Sequence, residues 1–162
     1  MSGEADAKAR ALALVEEGLT LHLAGQTDDA IDCYSASLAL APTAEAYTYR
    51  GWAYSQQGLL DEAIAECRRA IELDPSFGNP YNDLGSYLIL QDRLDEAVEW
   101  LERAKTSIRY DARHYPYLNL GRIYVVRGWL LRAREEFLKA LELHPGDKMA
   151  QEGLAKIDSA LN

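Results

Sequence analysis

Residues 49–75 read YRGWAYSQQGLLDEAIAECRRAIELDP, and the fold turns on two glycines inside them. Apolar residues recur at helical spacing almost throughout. Yet Gly51 stands in the middle of one amphipathic run, Gly58 ends it, and the next run stops at Asp74-Pro75. A glycine in a helix interior costs about 1 kcal/mol relative to alanine, so some neighbour must require the missing side chain.

The same pattern recurs along the chain. Glycines stand at Gly18, Gly51, Gly85 and Gly121, spaced by 33, 34 and 36 residues. Twelve residues after each comes an alanine, Ala30, Ala63, Ala97 and Ala133, and prolines close three units at Pro42, Pro75 and Pro145. A period of this length marks stacked supersecondary units. In the second unit Tyr47, Gly51 and Tyr54 share one helix face, and Leu60, Ala63, Ile64, Cys67, Ala70 and Ile71 share a face of the next helix. Gly25, Gly58 and Gly128 mark turns between paired helices. Two antiparallel helices approach closely only where side chains are small, so Gly51 facing Ala63 offsets the cost of the glycine.

These positions resemble the tetratricopeptide repeat family, whose 34-residue unit pairs a helix A with a helix B. Unit two matches with Tyr47, Gly51, Tyr54, Ala63, Ala70 and Pro75; unit four matches with Tyr117, Leu120, Gly121, Tyr124, Ala133, Phe137, Ala140 and Pro145. Unit three keeps Tyr81, Leu84, Gly85, Ala97 and Ala104 but lacks the closing proline and gains two residues, and unit one is the most degenerate. The resemblance implies an all-α, right-handed superhelical solenoid of antiparallel helix pairs. Its expected divisions are a polar leader at 1–10, repeats at 11–43, 44–77, 78–113 and 114–147, and a capping helix at 148–162.

Charge is uneven along the chain. Residues 1–102 carry 6 Lys or Arg against 19 Asp or Glu, whereas residues 103–140 carry 9 against 3. The net charge of -9 argues against general nucleic-acid binding, which requires cations to displace phosphate counterions. The opening residues have no apolar run of signal-peptide length and no stretch is long enough to span a bilayer, so the expected address is the cytoplasm, away from membranes. Cys33 and Cys67 show no CxxC spacing and read as small buried hydrophobes.

No catalytic, metal or cofactor site is expected. His22, His114 and His144 are far apart in sequence and no HExxH occurs. His22 reads as a surface histidine on helix A of unit one, and His144 as a partner for the negative end of a helix. The acid pairs Asp28-Asp29, Asp61-Glu62 and Asp95-Glu96 recur at the start of helix B in three units, where they suit the helix dipole.

In this family the first helices line a concave surface that binds peptides, which makes the chain a protein-interaction scaffold by resemblance. The residues expected to line the groove are Tyr49, Trp52, Asn82, Ser86, Ile89, Tyr115, Asn119 and Arg122. Leu12, Val15 and Leu118 are expected to pack against neighbouring units. Family members that clamp the C-terminal carboxylate of chaperones carry lysines, an arginine and asparagines at five helix A positions. Here those positions hold Val15, Leu19, Tyr49, Asn79 and Asp83 in one window, and Thr48, Trp52, Asp83, Tyr115 and Asn119 in the next. That mechanism is therefore not expected. Arg109, Arg113 and Arg122 near the groove mouth suggest a partner segment with acidic and apolar residues, while Arg127, Arg132, Arg134 and Lys139 read as a solvated outer face. The alternative is a secretion or assembly chaperone holding an aggregation-prone client. Close repeat spacing also permits self-association through the stack ends.

Overall fold

A computed structural model describes residues 2–162. Nine helices follow one another among the described residues, with no strand beyond one isolated bridge. They are α1 (Ser2–Leu23), α2 (Thr27–Leu40), α3 (Ala44–Gln56), α4 (Leu60–Leu73), α5 (Asn79–Leu90), α6 (Leu94–Lys105), α7 (His114–Val126), α8 (Leu130–Leu143) and α9 (Lys148–Leu161). Each odd-numbered helix up to α7 packs most extensively on the helix that follows it, and successive odd-numbered helices touch one another. The result is an all-α solenoid of helix hairpins with α9 against α7 and α8. Residues 2–10 form the first turns of α1.

The close approach expected at Gly51 is present. A Cβ there would lie 3.1 Å from the Cβ of Glu66 and 3.2 Å from the carbonyl oxygen of Ala63. Three of the hairpin turns take the left-handed conformation at Gly25, Gly58 and Gly128, with φ of 81°, 78° and 73°. The third hairpin has Asp92 there with φ of 59°, a conformation that aspartate tolerates better than most side chains.

The irregular segment after α6 departs from the repeat. Gly78 N–H donates to the Arg109 carbonyl and Arg109 N–H to the Ser76 carbonyl, each at 2.9 Å, so the segment pairs with the linker between α4 and α5. Tyr110 is buried over Gly78, and the Arg109 guanidinium lies 4.9 Å from the Phe77 ring centroid while bonding Glu45 at 2.9 Å and Asp74 at 2.6 Å. Arg109 and Tyr110, in the irregular segment between α6 and α7, thus form a clasp that reaches back to α3.

Repeats also join through a ladder on the turn side. Gln57 donates to Asp28 at 2.6 Å, Gln91 to Asp61 at 2.8 Å, and Arg127 to Asp95. One acid of each recurring pair at the start of helix B therefore accepts from the turn of the next hairpin, in addition to facing the helix dipole. Within the second hairpin Glu66, only 3% exposed, receives Arg50 Nε at 2.9 Å and Nη2 at 3.0 Å together with Arg69 at 2.8 Å.

Candidate functional site: a concave groove on the odd-numbered helices

Helices α3, α5 and α7 place their inward-facing side chains on one concave surface, because residues three and four apart share a helix face. Seven of the eight expected groove residues line a single cavity of about 630 Å³ there: Tyr49, Trp52, Asn82, Ser86, Tyr115, Asn119 and Arg122. Ile89 does not line it; its side chain is partly buried against the main core instead. The cavity is also lined by Asp83, Tyr87, Tyr110 and Met149, which the sequence reading did not include in the site.

Not every inner position is solvated. Val15, Thr48 and Leu118 are buried, where consecutive odd-numbered helices meet, whereas Leu12 is 53% exposed and does not share that packing. Asn82 and Asn119 are both buried and bond each other, Asn119 Nδ2 donating to Asn82 Oδ1 at 3.0 Å. Arg122 Nη1 donates to Asn119 Oδ1 at 3.4 Å, and Arg122 stays exposed in the groove. Tyr115 is 49% exposed beside it.

Trp52 is only half-buried, but one face is already used. Its ring lies against His22, tilted by 38° with centroids 3.8 Å apart. His22 corrects the sequence expectation: it is 3% exposed, not a surface residue. Its Nε2 lies 2.7 Å from Gln56 Oε1 and its Nδ1 3.2 Å from the Tyr34 hydroxyl, both at hydrogen-bond distance. A histidine on the inner face of α1 is covered by α3 because the hairpins stack. Cys33 is half-buried, whereas Cys67 is fully buried and its thiol is pushed well up by burial.

The groove floor carries an unneutralised acid. Asp83 is half-buried among Tyr49, Tyr87 and Tyr110, whose hydroxyls feel its charge. Burial raises its pKa to about 7, and an Asn82 hydrogen bond opposes the shift only partly. The Tyr87 hydroxyl is buried with no hydrogen-bond partner among the described residues.

The basic block is distributed differently from its sequence appearance. Arg109 is held in the clasp, and Arg113 donates to the carbonyls of Lys105, Ser107 and Ile108 near the end of α6. Arg127 joins the ladder, Arg134 bonds Asp158 on α9 at 2.8 Å, and Lys139 pairs with Glu142. Of the three arginines expected near the groove mouth, Arg122 alone lines the cavity.

Two of the histidines that are distant in sequence meet in space. His114 begins α7 and His144 follows α8; their rings stack 4.5 Å apart, and ligand atoms of both lie within 4.8 Å of Asp147. This is the one group among the described residues with donors that could converge on a metal ion. The Asp147 Oδ1 atom is already occupied, accepting from Ala150 N–H at 2.9 Å as the cap of α9.

Beyond Arg122 and Leu118 the concave surface continues into an apolar trough of about 520 Å³ between α7, α8 and α9. Val125, Val126, Leu130, Met149 and Ile157 are among its lining residues. No helix among the described residues is long and apolar enough to cross a membrane.

Comparison with known proteins gives the same architecture. Models of the tetratricopeptide repeat match residues 15–76, 81–109 and 115–147. A small glutamine-rich tetratricopeptide repeat-containing protein 2 from Mycosarcoma maydis is 37% identical over 92 residues, 56% of this chain and 26% of that protein. The chain thus spans about a quarter of that relative. A solved structure from the functional characterisation of Pseudomonas aeruginosa pilF superposes with a TM-score of 0.87 at 24% identity, covering 96% of this chain and 69% of that one. The first tetratricopeptide domain of Spaghetti (RPAP3), solved with the HSP90 peptide SRMEEVD, has a TM-score of 0.59 at 25% identity, covering 95% of this chain and 97% of that one. With these three matches covering most of residues 15–147, over helices that pair in sequence as hairpins, the chain belongs to the tetratricopeptide repeat family.

Proposed function

We propose that the chain is a non-catalytic protein-interaction scaffold that binds a segment of a partner protein along the groove of α3, α5 and α7. The observation that carries this reading is the cavity of about 630 Å³ into which three successive hairpins deliver aromatic, amide and arginine side chains. Trp, Tyr and Arg dominate binding energy when a partner desolvates them, and Tyr115 and Arg122 are exposed and available. A domain of the same family bound to a peptide supports the reading at the level of the fold. The partner segment carries an acidic residue at the Arg122 end and apolar residues toward the trough, where Val125 and Val126 are exposed.

The test is a pull-down comparing the wild-type protein with Tyr115→Ala/Arg122→Glu and with an outer-face control, Lys139→Glu. Tyr115, Arg122 and Lys139 are all exposed, and circular dichroism of each variant checks that the fold is kept. Prey lost from the groove variant and kept by the control supports the reading. Prey unchanged in both overturns it.

The apolar trough favours a second reading, a chaperone that holds an aggregation-prone client. A client whose light scattering is suppressed by wild-type protein but not by Val126→Glu would support it over a simple scaffold.

A further inference from the structure

We propose that the centre of the groove is a pocket for a basic side chain, arginine in preference to lysine, presented by the partner segment. The inference rests on the groove being the binding surface and adds the chemistry of one subsite. Asp83 lies on the floor of the cavity with no cation among the groups that stabilise its charge. Beside it the Tyr87 hydroxyl, on a residue 5% exposed, has no hydrogen-bond partner among the described residues. Tyr49, Trp52 and Tyr110 also line the cavity with these two.

An acceptor-only carboxylate ringed by aromatic side chains is the complement of a guanidinium. Arginine presents its N–H donors in a planar fork that meets both oxygens of a carboxylate, and its faces stack on aromatic rings. A lysine ammonium supplies the charge without the fork, and it is more strongly hydrated. Arg109 and Arg127 are held in the clasp and the ladder, and Arg122, which lines the same cavity, bonds Asn119 and is not among the groups that act on Asp83, so no arginine among the described residues neutralises it. A carboxylate partly withdrawn from water and without a cation is costly to ionise, and a partner's cation offsets that cost on binding.

The same arrangement disfavours an acidic ligand at the centre of the groove. An acidic C-terminal tail laid across it would bring its carboxylates toward Asp83, and like charges at short range disfavour the complex. Burial also sets the pH dependence. Asp83 titrates at about 7, so the pocket gains its full charge above that value and affinity for a basic segment rises between pH 6 and 8.

The test is selection of a random dodecapeptide library displayed on phage against the wild-type protein, with the charge-neutral groove variant Tyr115→Ala and with Asp83→Asn in parallel. Selected peptides are then synthesised with arginine or with citrulline, its neutral isostere, and titrated calorimetrically. The expected result is a shared arginine in peptides whose capture the groove variant weakens, with citrulline binding wild-type protein about tenfold more weakly or worse. Asp83→Asn should bind the arginine and citrulline forms nearly equally. Groove-dependent peptides without a basic residue, or indifference to citrulline, overturn the pocket while leaving the groove as the binding surface. Peptides that bind the groove variant as well as wild-type protein overturn both. Circular dichroism of Asp83→Asn establishes that lost discrimination is not lost folding.

Discussion

Asn119 donates to Asn82 across the α5–α7 contact at 3.0 Å, and both side chains are buried. Two residues that present themselves in sequence as candidate peptide contacts therefore spend part of their hydrogen-bonding capacity on each other. Truncating either one leaves the other without that partner in a buried setting, at a cost of about 1–2 kcal/mol. Asn82→Ala should lower the urea midpoint, and the Asn82→Ala/Asn119→Ala pair should lower it by less than the sum of the single changes. A fully additive pair would mean that the bond contributes nothing to the stacking of the third and fourth hairpins.

The buried carboxylate of Glu66 gathers two arginines, one on α3 and one on its own helix. Removing the acid strands the Arg50 guanidinium in a site it shares with Ser35 and the rings of Tyr47 and Tyr54. Loss of one member of a buried pair costs about 3–5 kcal/mol, and solvent access on the arginine side places Glu66→Ala near the lower figure. Chemical denaturation measures this directly, and a loss under about 1 kcal/mol would show that the pair is screened like a surface bridge.

Phe137 lies between two glycines on different helices. A Cβ at Gly121 would come 2.5 Å from its ring and a Cβ at Gly153 2.7 Å, so the ring has no side on which to yield. Gly121→Ala gains about 1 kcal/mol in helix propensity and loses more to overpacking. The expected net loss is on the order of 2 kcal/mol, read as a lower melting temperature. Pairing the substitution with Phe137→Leu should restore part of it, since the smaller side chain vacates the contact.

Acidification should act with opposite signs at two places. Burial first, and the neighbouring His144 second, hold His114 below its ordinary value. Its depressed pKa favours the folded state above 6.5, and that contribution is lost as pH falls through the folded-state value. Asp83 behaves inversely: its pKa is raised from 3.8 to about 7, so it favours folding below 3.8 and that contribution is lost as pH rises through 7. His114→Gln should therefore flatten the acid side of the stability profile. Asp83→Asn should gain stability at pH 8, by on the order of 2 kcal/mol, with the gain fading toward pH 4. His144, Asp147 and Tyr115 stand beside His114, so its midpoint should move when Asp147 is replaced by asparagine.

Much of the helix pairing was legible because it is local. The small residue in helix A and the alanine twelve positions later belong to one hairpin, and the turn glycines announce themselves by their separation from the apolar face. The clasp at Arg109, the burial of His22 and the ladder from Gln57 to Asp28 depend on how one hairpin settles on the next. The contacts between hairpins join residues roughly thirty or more apart, and no short-range period marks them. Recurrence of Asp28, Asp61 and Asp95 was a visible signal, but helix electrostatics explained it well enough to hide the second role. In the groove, a face of α3, α5 and α7 could be traced by helical spacing, while Tyr110 comes from the irregular segment and Asp83 looked like one position of an absent clamp. Their place in the cavity required the fold.

The clasp has a consequence for how the molecule comes apart. In a stack where each hairpin touches only its neighbours, unfolding can begin at either end and proceed by small steps, with each interface giving way separately. Arg109 bonds Glu45, 64 residues away on α3, as well as Asp74 at the end of α4. That tie fastens the second and third hairpins into one block, so the central groove should open in a single cooperative step while α1–α2 and α8–α9 fray. Amide exchange would register it as two classes of protection, and Arg109→Ala would merge the central class into the graded opening of an ordinary stack.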